Sequence, residues 1–168
     1  MIRAFPAPPT YWMSSLSANQ RVIIGVGNPF REDDGIGPAV IAQLRDDPAL
    51  NAQADLYDGG TDGLGLIPVI ERYTQAIIVD AVRMGLPPGT IKVFTPQDVA
   101  FPIQSDSLST HGFGLAQVIE LLQQLGSAVA LTIVGIEPES VNFAEGLSPA
   151  VKKSLPEVVR RVYKVIVD

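Results

Sequence analysis

Gly25-Val26-Gly27-Asn28-Pro29-Phe30-Arg31-Glu32-Asp33-Asp34-Gly35-Ile36-Gly37 is the stretch on which the fold turns. A short apolar run rich in β-branched residues, Arg21 to Gly25, enters it and suits a buried strand. Ile36, Val40, Ile41 and Leu44 leave it at helical spacing. Pro38 is tolerated only in a first helical turn, so the helix begins near Gly35 or Ile36. Asp33 and Asp34 then fall just before or at the helix N-cap, where an acid is well placed against the helix dipole. Gly25 and Gly27 supply the first two glycines of a dinucleotide fingerprint, but Phe30 stands in place of the third. Pro29 also lacks an N–H, and three consecutive acids repel a pyrophosphate, so this strand-to-helix corner is not a nucleotide site.

Further along, Ala54 to Asp58 reads as a second strand, followed by a turn-rich loop and a helix over Leu64 to Tyr73. Gln75 to Val79 is the clearest strand, and it ends in Asp80. Gly85 to Gly89 forms a turn, and a hairpin there into the strand Thr90 to Thr95 makes the sheet mixed. Pro96 to Thr110 has no clear periodicity, and irregular stretches of that length are often functional. Leu115 to Leu125 is an amphipathic helix, and Ala128 to Gly135 a buried strand. Ser148-Pro149 opens a last helix with its apolar stripe on Val151, Leu155, Val158, Val162 and Val165, which Pro156 should kink or split. Strands alternate with helices. The expected fold is α/β: an open, mostly parallel, doubly wound sheet of about five strands with helices on both faces.

The 168 residues suit one domain, residues 21–168, behind an irregular leader, residues 1–20, that contains Pro6, Pro8 and Pro9. Met1 and Met13 are both open as the start of translation. Net charge of −6 argues against a general nucleic-acid or anionic-membrane binder. There is no cysteine, so disulfides, thiolate nucleophiles and Cys-ligated zinc are impossible. No apolar run reaches the ~18–20 residues of a membrane span. Expectations are therefore a cytoplasmic location, no nucleic-acid or membrane partner, and a monomer.

Ligands of such sheets bind beyond the carboxyl ends of the strands. Four polar points fall there by sequence position: Asp33/Asp34 after the first strand, Asp58 and Asp80 at the ends of later strands, and His111, the only histidine, before a helix. Two carboxylates and an imidazole suit a divalent ion with an open coordination position. The same groups can do acid–base work without metal, or serve as caps and structural hydrogen-bonding residues. Asp80 follows four apolar residues, so its carboxylate must find a partner or bear a desolvation penalty.

Beyond spacing, the corner Gly25 to Gly37 resembles the N-terminal signature of the hydrogenase maturation proteases. The resemblance runs in order through Asp58-Gly-Gly-Thr61, Ile78-Val-Asp-Ala81, Ser109-Thr-His-Gly-Phe-Gly114, Gly135-Ile-Glu-Pro-Glu-Ser140 and Gly146-Leu-Ser-Pro149. It covers roughly residues 21–166. It implies an endopeptidase that removes the C-terminal extension of a nickel–iron hydrogenase large subunit after nickel insertion, with the large-subunit precursor as partner. The family's metal-binding trio falls on Asp34, Asp80 and His111, and Asp58 matches an aspartate implicated in substrate recognition or catalysis. Where the family uses Glu or Asp as first ligand, this chain has Asp34. Asp33 is then expected to cap the helix, with Glu32 a solvated neighbour. The cofactor implied is a divalent metal. Either the trio holds its own zinc or nickel, or it reads the nickel carried by the substrate, and the second is preferred.

Two other readings stay open at this level. One is a nickel-sensing assembly chaperone that binds without cutting. The other is a peptidyl-tRNA hydrolase-like enzyme, which shares the Gly25-Val-Gly-Asn-Pro29 opening but has a histidine shortly afterwards that is missing here.

Overall fold

The computed structural model describes residues 19–98 and 114–168. Five strands form one sheet in the order β2-β1-β3-β5-β4: β1 (Arg21–Val26), β2 (Asp55–Gly60), β3 (Gln75–Ala81), β4 (Ile91–Phe94) and β5 (Ala130–Ile136). The helices are α1 (Ile36–Leu44), α2 (Pro48–Asn51), α3 (Leu66–Ile70), α4 (Leu115–Gln124) and α5 (Pro149–Val167), with a 3-10 turn over Glu32–Gly35. β1, β2, β3 and β5 are parallel. The sheet is mixed as expected, but through a different pairing: β4 runs antiparallel to β5, which lies between it and β3. The turn at Gly85–Gly89 is therefore no hairpin. It carries the chain across an intervening strand.

The period-two alternation of each strand divides the core between two faces. Ile23, Ile77, Val79, Val134 and Ile136 pack with residues of α1 and α5. Val22, Ile24, Ala76, Ile78 and Ile133 pack with α3 and α4 on the other side. The doubly wound architecture follows from the long apolar runs of the central strands, Val22–Ile24 of β1, Ala76–Val79 of β3 and Ile133–Val134 of β5, which are buried on both faces.

Three elements differ in detail from the sequence pattern. The helix expected over Leu64 to Tyr73 is only five residues, Leu66–Ile70. Before it, Asp62 Oδ1 accepts the N–H of Gly65 and keeps the chain in a turn. Pro156 does not split α5, which runs unbroken for 19 residues. Its ring lies on the exposed side of the helix, while Val151, Val158, Val162 and Ile166 are buried. The carbonyl that loses its N–H partner there is that of Lys152, also exposed, where water can replace the bond. The last helix starts as expected: Ser148 Oγ accepts the N–H of Val151.

α1 sits unusually low on the sheet because Gly37 has no side chain. A Cβ there would lie 2.2 Å from the Val26 carbonyl oxygen and 2.7 Å from that of Val79. Both obstacles are backbone and cannot swing away. Gly37→Ala should therefore cost about 1–3 kcal/mol, the range for overpacking, read as a lower denaturant midpoint at unchanged slope. A stability equal to wild type would show that the helix can lift off without penalty.

No helix among the described residues is long and apolar enough to cross a membrane.

Candidate active site

The low seat of α1 brings the corner against the carboxyl ends of β1 and β3. Gly27 turns the chain out of β1 with φ +131°, and a Cβ there would fall 1.8 Å from the carbonyl oxygen of Asp34. Only glycine permits both that backbone angle and that approach. The corner is then closed by two short bonds. The N–H of Asn28 donates to Asp34 Oδ2 at 2.8 Å, and the N–H of Gly27 donates to the Gly60 carbonyl at 2.8 Å. Asp34 is fixed within a loop laced to both neighbouring strands, with 4% of its surface exposed.

Asp80 is the penultimate residue of β3 and is also 4% exposed. It pairs across the ladder with Gly135. By the alternation of β3 it belongs with Ala76 and Ile78 on the α3/α4 side. Burial pushes its carboxyl well above the usual carboxylate range. The nearby charge of Asp34 pushes it further, and the N–H of Ala81 works in the opposite sense. Two buried carboxylates thus repel one another at the mouth of the sheet. A cation shared between them removes the repulsion, so the donor set fits a dication.

His111 lies outside the described residues. Three positions later Gly114 is the N-cap of α4, its N–H held by Gln117 Oε1 at 2.9 Å, and α4 packs on the face to which Asp80 belongs. Among the described residues no group of three or more histidine, aspartate or glutamate side chains is placed to hold a metal. Asp58 does not end its strand, since β2 runs on to Gly60, and by alternation it belongs with Leu56 on the α1/α5 side of the sheet. It is exposed, it pairs with Gly25, and its Oδ1 accepts the N–H of Gly60 at 3.1 Å.

Asp33 does not cap α1: the N-cap is Gly35, with no side-chain bond. Instead Asp33 is completely buried and collects four donors from the far end of the chain. The N–H of Ser148 donates to Oδ1 at 2.7 Å. The N–H groups of Glu139 and Ser140 donate to Oδ2 at 2.8 and 3.2 Å, and the Ser148 hydroxyl does so at 2.8 Å. One carboxylate therefore ties the corner to the segment 139–148 and to the start of α5. That segment also runs beside the corner, with the Glu32 N–H bonded to the Ala144 carbonyl and the Ala144 N–H to the Phe30 carbonyl. Glu137, 6% exposed, plays a similar part for the loop after β3, accepting the N–H groups of Met84 and Leu86.

Glu32 is not simply a solvated neighbour. Its φ is +44°, in the left-handed region, a strain of order 1–2 kcal/mol for a residue other than glycine. Its Oε2 is shut away from solvent without a hydrogen-bond partner. The roles of Asp33 and Glu32 had no signal in local spacing, because the partners of the first lie more than a hundred residues away and the second depends on backbone geometry.

Comparisons with known proteins agree with this architecture. The family model "Hydrogenase maturation protease" matches residues 38–165, a span containing Asp58, Asp80 and His111 and beginning just after the corner. The chain is 32% identical over 141 residues to the hydrogenase expression/formation protein HupD of Rhodobacter capsulatus, covering 83% of this chain and 67% of that protein. It is 31% identical over 143 residues to the hydrogenase 2 maturation protease of Escherichia coli, covering 84% and 87% of the two chains. The solved structure of the hydrogenase maturating endopeptidase HybD from Escherichia coli superposes with a TM-score of 0.71 at 28% identity, over 87% of this chain and 91% of that one.

Proposed function

The chain belongs to the hydrogenase maturation protease family and is a hydrolase, an endopeptidase, and from that premise we propose that it cuts the C-terminal extension from the precursor of a nickel–iron hydrogenase large subunit once nickel is in place. The observation that carries the reading is the pair of buried, mutually repelling carboxylates, Asp34 and Asp80, at the carboxyl end of a parallel sheet. Such a pair is poor as a resting arrangement and good as a receptor for a dication presented by a partner. With the imidazole of His111 it forms a two-acid, one-nitrogen set suited to nickel. The nickel is then a mark on the substrate, and a precursor without it offers nothing to offset the repulsion.

Seating that mark places the scissile peptide over the corner. In hydrolysis the water oxygen bonds to the carbonyl carbon, the C–N bond breaks, and a proton passes to the departing amine. Asp58 is the carboxylate we assign to orienting the water and taking its proton. It lies toward the same carboxyl end of the parallel strands, on the edge strand β2, and is exposed. The paired N–H···O bonds around Gly27 and Asn28 keep the floor of the site rigid, so little reorganisation accompanies the attack.

His111→Ala should lower precursor cleavage to less than about one hundredth of wild type, as for loss of a principal polar group in a site. Intact-mass analysis of the reaction reads this directly. Full cleavage by the variant sinks the assignment. Binding of the precursor by wild type without any cut would instead describe a chaperone.

A further inference from the structure

The outward face of α5 carries a charge opposite to that of the rest of the chain. α5 holds five of the twelve lysines and arginines but only one of the eighteen acids. Helical periodicity gathers the five on one side. Val151, Val158, Val162 and Ile166 are buried against the sheet, while Lys152, Lys153, Arg160, Arg161 and Lys164 are exposed. From Lys152 to Lys164 the stripe is about 18 Å long at the helical rise.

Glu157 is the one acid on this face, and it is used up within it. Its Oε1 accepts from Arg160 Nη2 at 2.6 Å and from Arg161 Nε at 2.7 Å, and its Oε2 accepts from Arg160 Nε at 2.7 Å. The cluster of three keeps a surplus positive charge. Lys152, Lys153 and Lys164 form no ion pair among the described residues. Like charges along one helix face oppose the helix that bears them, so the stability of α5 does not account for the stripe.

Shape and sign narrow the ligand. On a convex helix surface the ammonium groups diverge and do not converge on one small anion. A membrane or a nucleic acid carries negative charge well beyond the helix, where it meets the acidic remainder of the chain. A bounded acidic patch on a folded protein fits, because its charge ends where the stripe ends. The stripe also begins at the catalytic end of the molecule. Ser148, the N-cap of α5, donates its N–H and its hydroxyl to Asp33 in the corner, and Lys152 and Lys153 follow within the first turns. A protein whose chain end lies over Asp34 and Asp80 has its body within reach of α5.

We infer that the outer face of α5 docks an acidic surface of the large-subunit precursor, away from the bond that is cut. The inference rests on the endopeptidase reading above. Docking of this kind speeds encounter and holds the precursor without touching the reacting atoms, so it enters KM and the response to salt rather than kcat.

The test is cleavage of nickel-loaded precursor, followed by intact mass over a range of precursor concentrations at about 50 and about 300 mM KCl. Lys153→Glu combined with Lys164→Glu should raise KM at least fivefold at the lower salt and leave kcat within twofold of wild type. Wild-type kcat/KM should fall at least fivefold at the higher salt, and that of the variant should fall less than half as much. Arg72→Glu combined with Lys92→Glu changes the net charge equally at exposed positions. Arg72 follows α3, and Lys92 lies opposite Gly135, on the α3/α4 side of the sheet by alternation. This control should keep KM within twofold. Lys153→Gln combined with Lys164→Gln, which only removes charge, should raise KM at least twofold and decides the matter if the glutamate variant loses its wild-type thermal midpoint. An unchanged KM in a folded α5 variant, an equal rise in the control, or wild-type rates indifferent to salt would overturn the docking face. So would binding of the wild type to phosphatidylserine vesicles that the α5 variant loses while it keeps the precursor. Absence of any cleavage by wild type overturns the endopeptidase reading instead. Direct binding of purified precursor to immobilised wild type and α5 variant, weakened at least fivefold in the variant or unchanged, then still decides the face.

Discussion

Asp80→Asn should make the protein more stable and nearly inactive. The two effects have one cause. Asp80 is 4% exposed, burial pushes its carboxyl well above the ordinary range, and Asp34 pushes in the same direction. Asparagine removes the ionisable carboxyl and keeps the oxygen that accepts from Ala81. Removing a carboxyl whose ionisation is opposed by burial, and further by Asp34, is worth about 1–3 kcal/mol at neutral pH. The sign with pH follows from the raised value. The unfolded chain loses this proton near pH ~4, while the folded chain holds it to higher pH. Wild-type stability in metal-free protein therefore falls as the pH rises from about 4 through the folded value, and the advantage of Asp80→Asn grows over that same window. Denaturant midpoints of both proteins across pH 4–8 check it. Precursor cleavage by the variant should drop to below about a thousandth of wild type, since a group that engages the reacting complex is gone. A variant that is less stable at neutral pH, or one that still cuts, contradicts the role given to Asp80.

Asp33→Ala should have the opposite character: a large loss of stability at a fully buried residue whose two oxygens are both taken up by the 139–148 segment. Four donors converge on this one carboxylate, from Glu139, Ser140 and Ser148. Deleting it takes the acceptor from three N–H groups and a hydroxyl, all part-buried, and loosens the hold of the corner on the 139–148 segment. Loss of a buried charged partner of this kind costs about 3–5 kcal/mol, a large part of the stability of a domain this size. The expected readout is a markedly lower denaturant midpoint and a lower thermal midpoint, with Asp33→Asn in between because it keeps one accepting oxygen. A change under about 1 kcal/mol would mean that the segment is held by its backbone bonds to Phe30 and Glu32 alone.

Neighbouring acids in one turn thus have separate duties, and this is where reading residues in order reaches its limit. The corner itself was legible: an apolar β-branched run, two glycines, and a proline that fixes where α1 begins. Asp80 was legible too, because an acid terminating four buried apolar positions needs a reason. The pairing of β4 was not, since its partner β5 follows it by a long excursion and no local pattern announces which strand fills the gap beside β3. Pro156 misled for a related reason: whether a proline breaks a helix depends on which side of the helix meets water. Asp33 looked like a cap because it stands before a helix. Its real partners come from blocks, Glu139-Ser140 and Ser148, whose spacing carries no hint that they fold back on the corner.

The most direct test of the central claim, that Asp34, Asp80 and His111 read nickel already held by the substrate, compares two precursors with one enzyme. Purified large-subunit precursor, loaded with nickel or free of it, is incubated with the metal-free protein and followed by intact mass. Loss of the C-terminal extension is expected from the nickel-loaded precursor only. Equal cleavage of the nickel-free precursor would contradict it.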